Sequence, residues 1–207
     1  MIRTIIFDFG NVIAFFDHHR IWKRWAPHAG ISAEEMRERL VGSDLEDAYE
    51  SGRVSTAELL RQVRALCQLR CSDEEIIEAY CDIFWPNPEV RELLPLLRPR
   101  YQLLVGSNTC ELHAQRFRRQ FADTLSHFQA LVLSHEIGAR KPHPPFYEHC
   151  WRQAGHAPSE CLFIDDLPAN VAGARACGLQ AIQYSNSTPL HQQLTQLGIV
   201  LVAEERS

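Results

Sequence analysis

Four short stretches of this chain carry side chains able to do chemistry together: IIFDFGNV at 5–12, VGSNT at 105–109, ARKP at 139–142 and FIDD at 163–166. They offer, in order, Asp8, Ser107 with Asn108, Arg140 with Lys141, and Asp165 with Asp166, each at or shortly behind the end of an apolar run. An aspartate held beside a divalent cation can attack phosphorus and form an aspartyl-phosphate that water then hydrolyses. Such a cation needs hard oxygen ligands, which Asp8 and the Asp165/Asp166 pair supply. Lys141 would neutralise charge between nucleophile and phosphate, while Ser107 and the amides near it hydrogen-bond the phosphoryl oxygens. Singly, each piece has a plainer use. Asp8 suits a turn, Ser107-Asn108 a cap for a helix from Glu111, Arg140-Lys141 a solvated pair, and Asp165-Asp166 a first turn ahead of Pro168. Their shared position behind apolar runs favours one common site.

Bringing four distant points together requires a scaffold. Runs at Thr4–Phe7, Gln102–Val105, Ala130–Leu133, Leu162–Ile164, Gln180–Gln183 and Ile199–Val202 are continuous rather than alternating, which predicts strands covered on both faces in a parallel sheet. Between them, Asn87-Pro88 starts a helix ahead of Val90, Leu93, Leu94 and Leu97. Further helices are predicted over Glu111–Phe121, Pro145–Gln153 and Pro168–Cys177, the last stopped by Gly178. This is a doubly wound α/β pattern, in which ligands bind beyond the carboxyl ends of the strands. Residues 17–86 break the alternation. Three cap patterns recur there, Ser32 with Glu35, Ser55 with Glu58 and Ser72 with Glu75, each ahead of a helical run. The organisation predicted is a Rossmann-like core over 1–16 and 87–207, with an all-helical subdomain inserted over 17–86.

Composition narrows the functional classes. A formal charge of -5 over 207 residues argues against nucleic acid as a partner. No apolar run approaches the ~20 residues of a membrane span, and Asp8 interrupts the first apolar stretch too early for a signal peptide. The expectation is a cytoplasmic protein without a membrane partner, whose seven cysteines are reduced thiols. No CxxC pair is present, and His18, His19, His143 and His149 form no i, i+4 pair, which disfavours zinc.

The ordered set DFGNV, GSNT, RKP and FIDD, with a helical insert after the first strand, resembles the haloacid dehalogenase-like (HAD) hydrolase superfamily in its helical-cap branch. The likeness covers essentially the whole chain. It implies a Mg²⁺-dependent phosphomonoester hydrolase acting on a small phosphorylated metabolite, with Asp8 as nucleophile and Lys141 stabilising charge. Phosphate binding then falls on Ser107, Asn108 and Lys141. The metal falls on Asp8, the backbone carbonyl of Gly10, Asp166 directly and Asp165 through water.

Gly10 departs from the pattern, since most HAD phosphatases resemble Asp-x-Asp, with the second carboxylate protonating the leaving oxygen. That speaks against a mutase. A smaller bacterial group, acting on sugar phosphates such as α-glucose-1-phosphate, is similar in its DxGNV motif and sets a sugar phosphate as the expected substrate. A substitute proton donor is expected among Asp17, His18 and His19, or in a hydroxyl of the substrate itself. Two alternatives stand beside this: a 2-haloacid dehalogenase, whose chloride leaves unprotonated but which needs no acidic pair, and a catalytically weak phosphate-ligand-binding relative. Trp22, Trp25 and Trp85 are expected in the core of the inserted helices rather than as a stacking platform.

Overall fold

The computed structural model describes residues 1–185 and 187–202. It opens with β1 (Thr4–Phe7) and β2 (Ala14–Phe16), followed by five helices: α1 (His19–Trp25), α2 (Ala33–Val41), α3 (Leu45–Glu50), α4 (Thr56–Cys67) and α5 (Asp73–Cys81). Then come β3 (Phe84–Pro86), α6 (Pro88–Leu97), β4 (Gln102–Ser107), α7 (Glu111–Gln120), α8 (Ala122–Leu125) and β5 (Ala130–Leu133). The remainder is α9 (Ser134–Ile137), α10 (Pro144–Ala154), β6 (Cys161–Asp165), α11 (Pro168–Ala176), β7 (Gln180–Gln183) and α12 (Leu190–Gln196).

Five strands form one parallel sheet in the order β5-β4-β1-β6-β7. All four residues of β1 are buried, as a central strand covered on both faces demands. The ladders run past the apolar stretches that announced them. β4 continues to Ser107, paired with Leu133, and β6 continues to Asp165, paired with Gln183. Sheet geometry therefore fixes those two polar residues directly.

Ile199–Val202 is not a strand. The chain turns at Gly198, buries Ile199 with its amide on Leu194 O of α12, and bonds Val202 to the α6 carbonyl of Leu96. A β-branched run forms a strand only where a sheet edge is in reach, and this one docks on a helix instead.

The helices α1 to α5 leave and rejoin the sheet through an antiparallel ribbon, β2 against β3, in register from Ala14↔Pro86 to Phe16↔Phe84. Ser32, Ser55 and Ser72 each accept the expected amide, at 3.1, 3.3 and 3.2 Å. Only Glu75 returns the bond, to the Ser72 amide. Glu35 is instead bonded to Arg39, and Glu58 to Arg61 and Gln62. Trp25 is buried and stacked on Tyr80, and Trp22 is half-buried beside it, as expected. Trp85 is not core: it stands 40% exposed on the ribbon, against Phe15. Among the described residues, no helix is long and apolar enough to cross a membrane.

Candidate active site

The carboxyl edge of the sheet gathers the expected residues. Asp8 directly follows the central strand β1, Ser107 ends β4 on one side, and Asp165 ends β6 on the other. The Asp8 amide donates to Ile164 O at 2.8 Å, which carries the ladder up to the carboxylate itself. Lys141 arrives on the loop before α10, and its placement depends on Asn108. The Asn108 Nδ2 donates to Lys141 O at 3.0 Å, and the Lys141 amide donates to Asn108 Oδ1 at 2.8 Å. The Asn108 side chain, expected on phosphate, is thus engaged in holding this loop.

The Lys141 ammonium lies 2.8 Å from Asp8 Oδ1 and 2.7 Å from Asp165 Oδ2, almost fully buried. Asp165 is held further by Asn170 Nδ2 at 2.9 and 3.1 Å and by the Leu167 amide at 2.9 Å. Asp166 is half-exposed and accepts from Asn11 Nδ2 at 3.0 Å. Burial, only partly offset by Lys141, pushes the Asp8 carboxyl well above the usual carboxylate range, with Asp165 and Asp166 adding to the rise. Burial likewise raises Asp166 against the Asn11 hydrogen bond. Burial pulls Lys141 down, but Asp8 and Asp165 outweigh it and hold the ammonium above its ordinary value. Three carboxylates face one ammonium, and one oxygen from each of Asp8, Asp165 and Asp166 lies within 4.8 Å of the others. An all-oxygen, under-neutralised donor set of this kind fits a hard divalent cation.

Two glycines are set by close approach. A Cβ on Gly173 of α11 would stand 2.6 Å from Pro142 O, so the bare backbone lets α11 seat against the Lys141 loop. Gly173→Ala is expected to lower stability by about 1–3 kcal/mol through overpacking and to reduce turnover by displacing Lys141, read by urea unfolding and steady-state kinetics. A Cβ on Gly10 would stand 2.8 Å from Phe16 Cε1. The ring of Phe16 occupies the space into which a second acid at that position would grow.

The site opens into a cavity of about 340 Å³ that also reaches Ser107, Thr109, His113, Phe16 and His18. Of the three expected proton donors, only His18 lines it; Asp17 Oδ1 instead accepts the His19 amide at 2.8 Å, and His19 is exposed. His113, stacked on Tyr80, is pushed down to about 3 by burial and stays neutral. Glu46, Asp47 and Glu50 of α3 complete the wall, with Arg140 ion-paired to Asp47 and, at 2.6 Å, to Glu50. Burial raises Glu50 to about 7 even against Arg140. Asn11, Phe16 and the α3 acids were absent from the sequence expectation. Asn11 lies at φ 54, a left-handed turn that Asn tolerates, and this was its one local signal.

A sequence model of haloacid dehalogenase-like hydrolases matches residues 2–178. D-ribitol-5-phosphate phosphatase of Bacteroides thetaiotaomicron is 26% identical over 202 residues, covering 94% of this chain and 98% of that protein. A phosphatase of Mycobacterium tuberculosis is 29% identical over 213 residues, with 97% of each chain covered. Among solved structures, a HAD family enzyme of B. thetaiotaomicron in complex with magnesium and inorganic phosphate is similar in fold. It matches with a TM-score of 0.82 at 22% identity, over 93% of this chain and 99% of that one.

Proposed function

Because the chain belongs to the haloacid dehalogenase-like hydrolase family, we propose that it is a phosphatase that hydrolyses a small phosphorylated metabolite through an aspartyl-phosphate on Asp8. The observation that carries this is the convergence of Asp8, Lys141 and Asp166 on one pocket beside Ser107, with Asp165 buried behind them on the Lys141 ammonium. Lys141 and the Phe9 amide, at 2.8 and 2.6 Å, both contact Asp8 Oδ1 and fix the carboxylate for attack. Ser107 and the neighbouring main-chain amides bind the phosphoryl oxygens. Asp8, Asp166 and the Gly10 carbonyl would hold Mg²⁺, which supplies Lewis-acid charge to those oxygens. Asp165, fully buried and bound by Lys141, Asn170 and Leu167, suits a water-mediated place behind them. Water then attacks the aspartyl-phosphate and releases phosphate. The helices α1 to α5 act as a cap over 17–86 that excludes solvent and selects the leaving alcohol. A sugar or polyol phosphate is the favoured class, in keeping with the DxGNV motif and with a relative active on D-ribitol 5-phosphate. The doubly acidic Asp165/Asp166 site weighs against the dehalogenase alternative.

A panel of phosphate monoesters, assayed for phosphate release with and without Mg²⁺, tests this. Turnover of sugar or polyol phosphates that requires Mg²⁺ is expected, and no turnover of any ester would refute it. With Phe16 standing where an acid would grow, aryl phosphates should exceed simple alkyl phosphates by about 10²-fold or more, the usual worth of a general acid. Equal rates for the two would show that a donor such as His18 fully replaces it.

A further inference from the structure

Next to the phosphate pocket lies a second, open-mouthed cavity of about 190 Å³, lined by residues of α1 to α5. Its walls are mainly apolar, among them Trp22, Leu40, Leu45 and Leu59, with Arg37 and His19 also at the lining. His18 and Glu46 line both cavities, so the two meet at these residues. Phosphate chemistry needs nothing from a mainly apolar recess of this kind. An apolar cavity of about 150 Å³ admits a benzene molecule, so this one has room for a six-membered ring or a chain of about six carbons. The wall of the phosphate pocket on the α3 side has a different character. There Glu46 and the Arg140 ion pair with Asp47 and Glu50 leave carboxylate lone pairs that can accept from hydroxyl groups. The two cavities together therefore offer phosphate-binding, hydroxyl-binding and apolar surface, joined at His18 and Glu46.

We infer that the substrate is a phosphorylated sugar or polyol bearing an aromatic or aliphatic group at the end remote from the phosphate, with that group seated in the chamber between α1, α2, α3 and α4. The phosphate end of this assignment rests on the phosphatase reading; the apolar end rests on the chamber alone.

Methyl, butyl, hexyl and phenyl glucoside 6-phosphates share one leaving oxygen and differ only in the remote group, so their rates separate the chamber from the chemistry. Each buried CH₂ is worth about fourfold in kcat/KM (about 0.8 kcal/mol), and the hexyl and phenyl esters should exceed the methyl ester by tens-fold or more. Leu40 is half-buried and Val41 is 71% exposed, so Leu40→Trp and Val41→Trp fill the chamber from its wall with little demand on the fold. Each should flatten the series by raising KM for the hexyl and phenyl glucosides. A flat wild-type series, or one neither variant alters, overturns the inference. A second measurement needs no turnover: phenyl glucoside 6-phosphate titrated into Asp8→Asn should change Trp22 fluorescence, inorganic phosphate should not, and Trp22→Phe should abolish the signal. That signal without hydrolysis of any ester would sustain the chamber and sink the phosphatase. Equal hydrolysis of all four esters without the signal would do the reverse.

Discussion

Asp8→Asn is expected to leave the protein folded and to lower phosphatase turnover by about 10⁴-fold or more, the scale on which removal of a nucleophile acts. The amide has the shape of the carboxylate but cannot become the acyl half of an aspartyl-phosphate. Lys141 keeps its second partner, Asp165 at 2.7 Å, and the Asn108 clamp on its backbone is untouched, so the loop stays in place. Burial already disfavours the charge on Asp8, so its removal relieves a cost as well as deleting an ion pair. Circular dichroism and thermal melting should therefore change little while phosphate release disappears. Turnover within tenfold of wild type, on protein purified free of contaminating phosphatase, would remove Asp8 from the nucleophile's role.

What could be read in the sequence follows from how local each determinant is. The strands that carry Asp8, Ser107 and Asp165 are announced by continuous apolar runs, because a doubly covered strand has no polar face. Capping serines are equally local, since the amide they bind lies three residues on. Lys141 is placed by a loop, and only its rank in the ordered set marked it; the clamp from Asn108 spans 33 residues and leaves no pattern nearby. Arg140 and Asp47 are 93 residues apart, and nothing in RKP announces that its arginine will meet α3. Phe16 went unnoticed because an aromatic near a hinge reads as packing, and its meaning appears only against the missing Cβ of Gly10. Ile199–Val202 misled for the opposite reason. Its composition suits a strand, but strand formation is decided by the neighbour, and its backbone acceptors belong to Leu194 in α12 and Leu96 in α6.

Removal of divalent metal is expected to suppress turnover about 10³-fold or more, with Mg²⁺ restoring it and Ca²⁺ failing to. Lewis-acid charge on a phosphoryl oxygen is worth several kcal/mol, and each 1.36 kcal/mol is a factor of ten in rate. The site has little to put in its place. Lys141 is its one buried ammonium among the described residues, and that ammonium is already shared between Asp8 and Asp165. A doubly charged phosphate ester brought into three carboxylates would meet repulsion that one lysine does not offset. The failure of Ca²⁺ follows from geometry. Mg²⁺ holds an octahedral shell at about 2.0–2.1 Å, whereas Ca²⁺ takes six to eight ligands at about 2.3–2.6 Å. A larger, looser shell shifts Asp8 relative to phosphorus when it is also a ligand. The Lys141 and Phe9 contacts on Asp8 Oδ1 limit how far the carboxylate can follow. Ca²⁺ should therefore bind, compete with Mg²⁺ and inhibit. Asp166→Asn should raise the Mg²⁺ concentration needed for half-maximal activity by tenfold or more, and calorimetric titration should show the same weakening without substrate. Full phosphatase turnover in excess chelator would show that Asp165 and Asp166 only brace the fold around Lys141; halide release from 2-haloacids in chelator, with no ester hydrolysed, would make the dehalogenase the better account of Gly10.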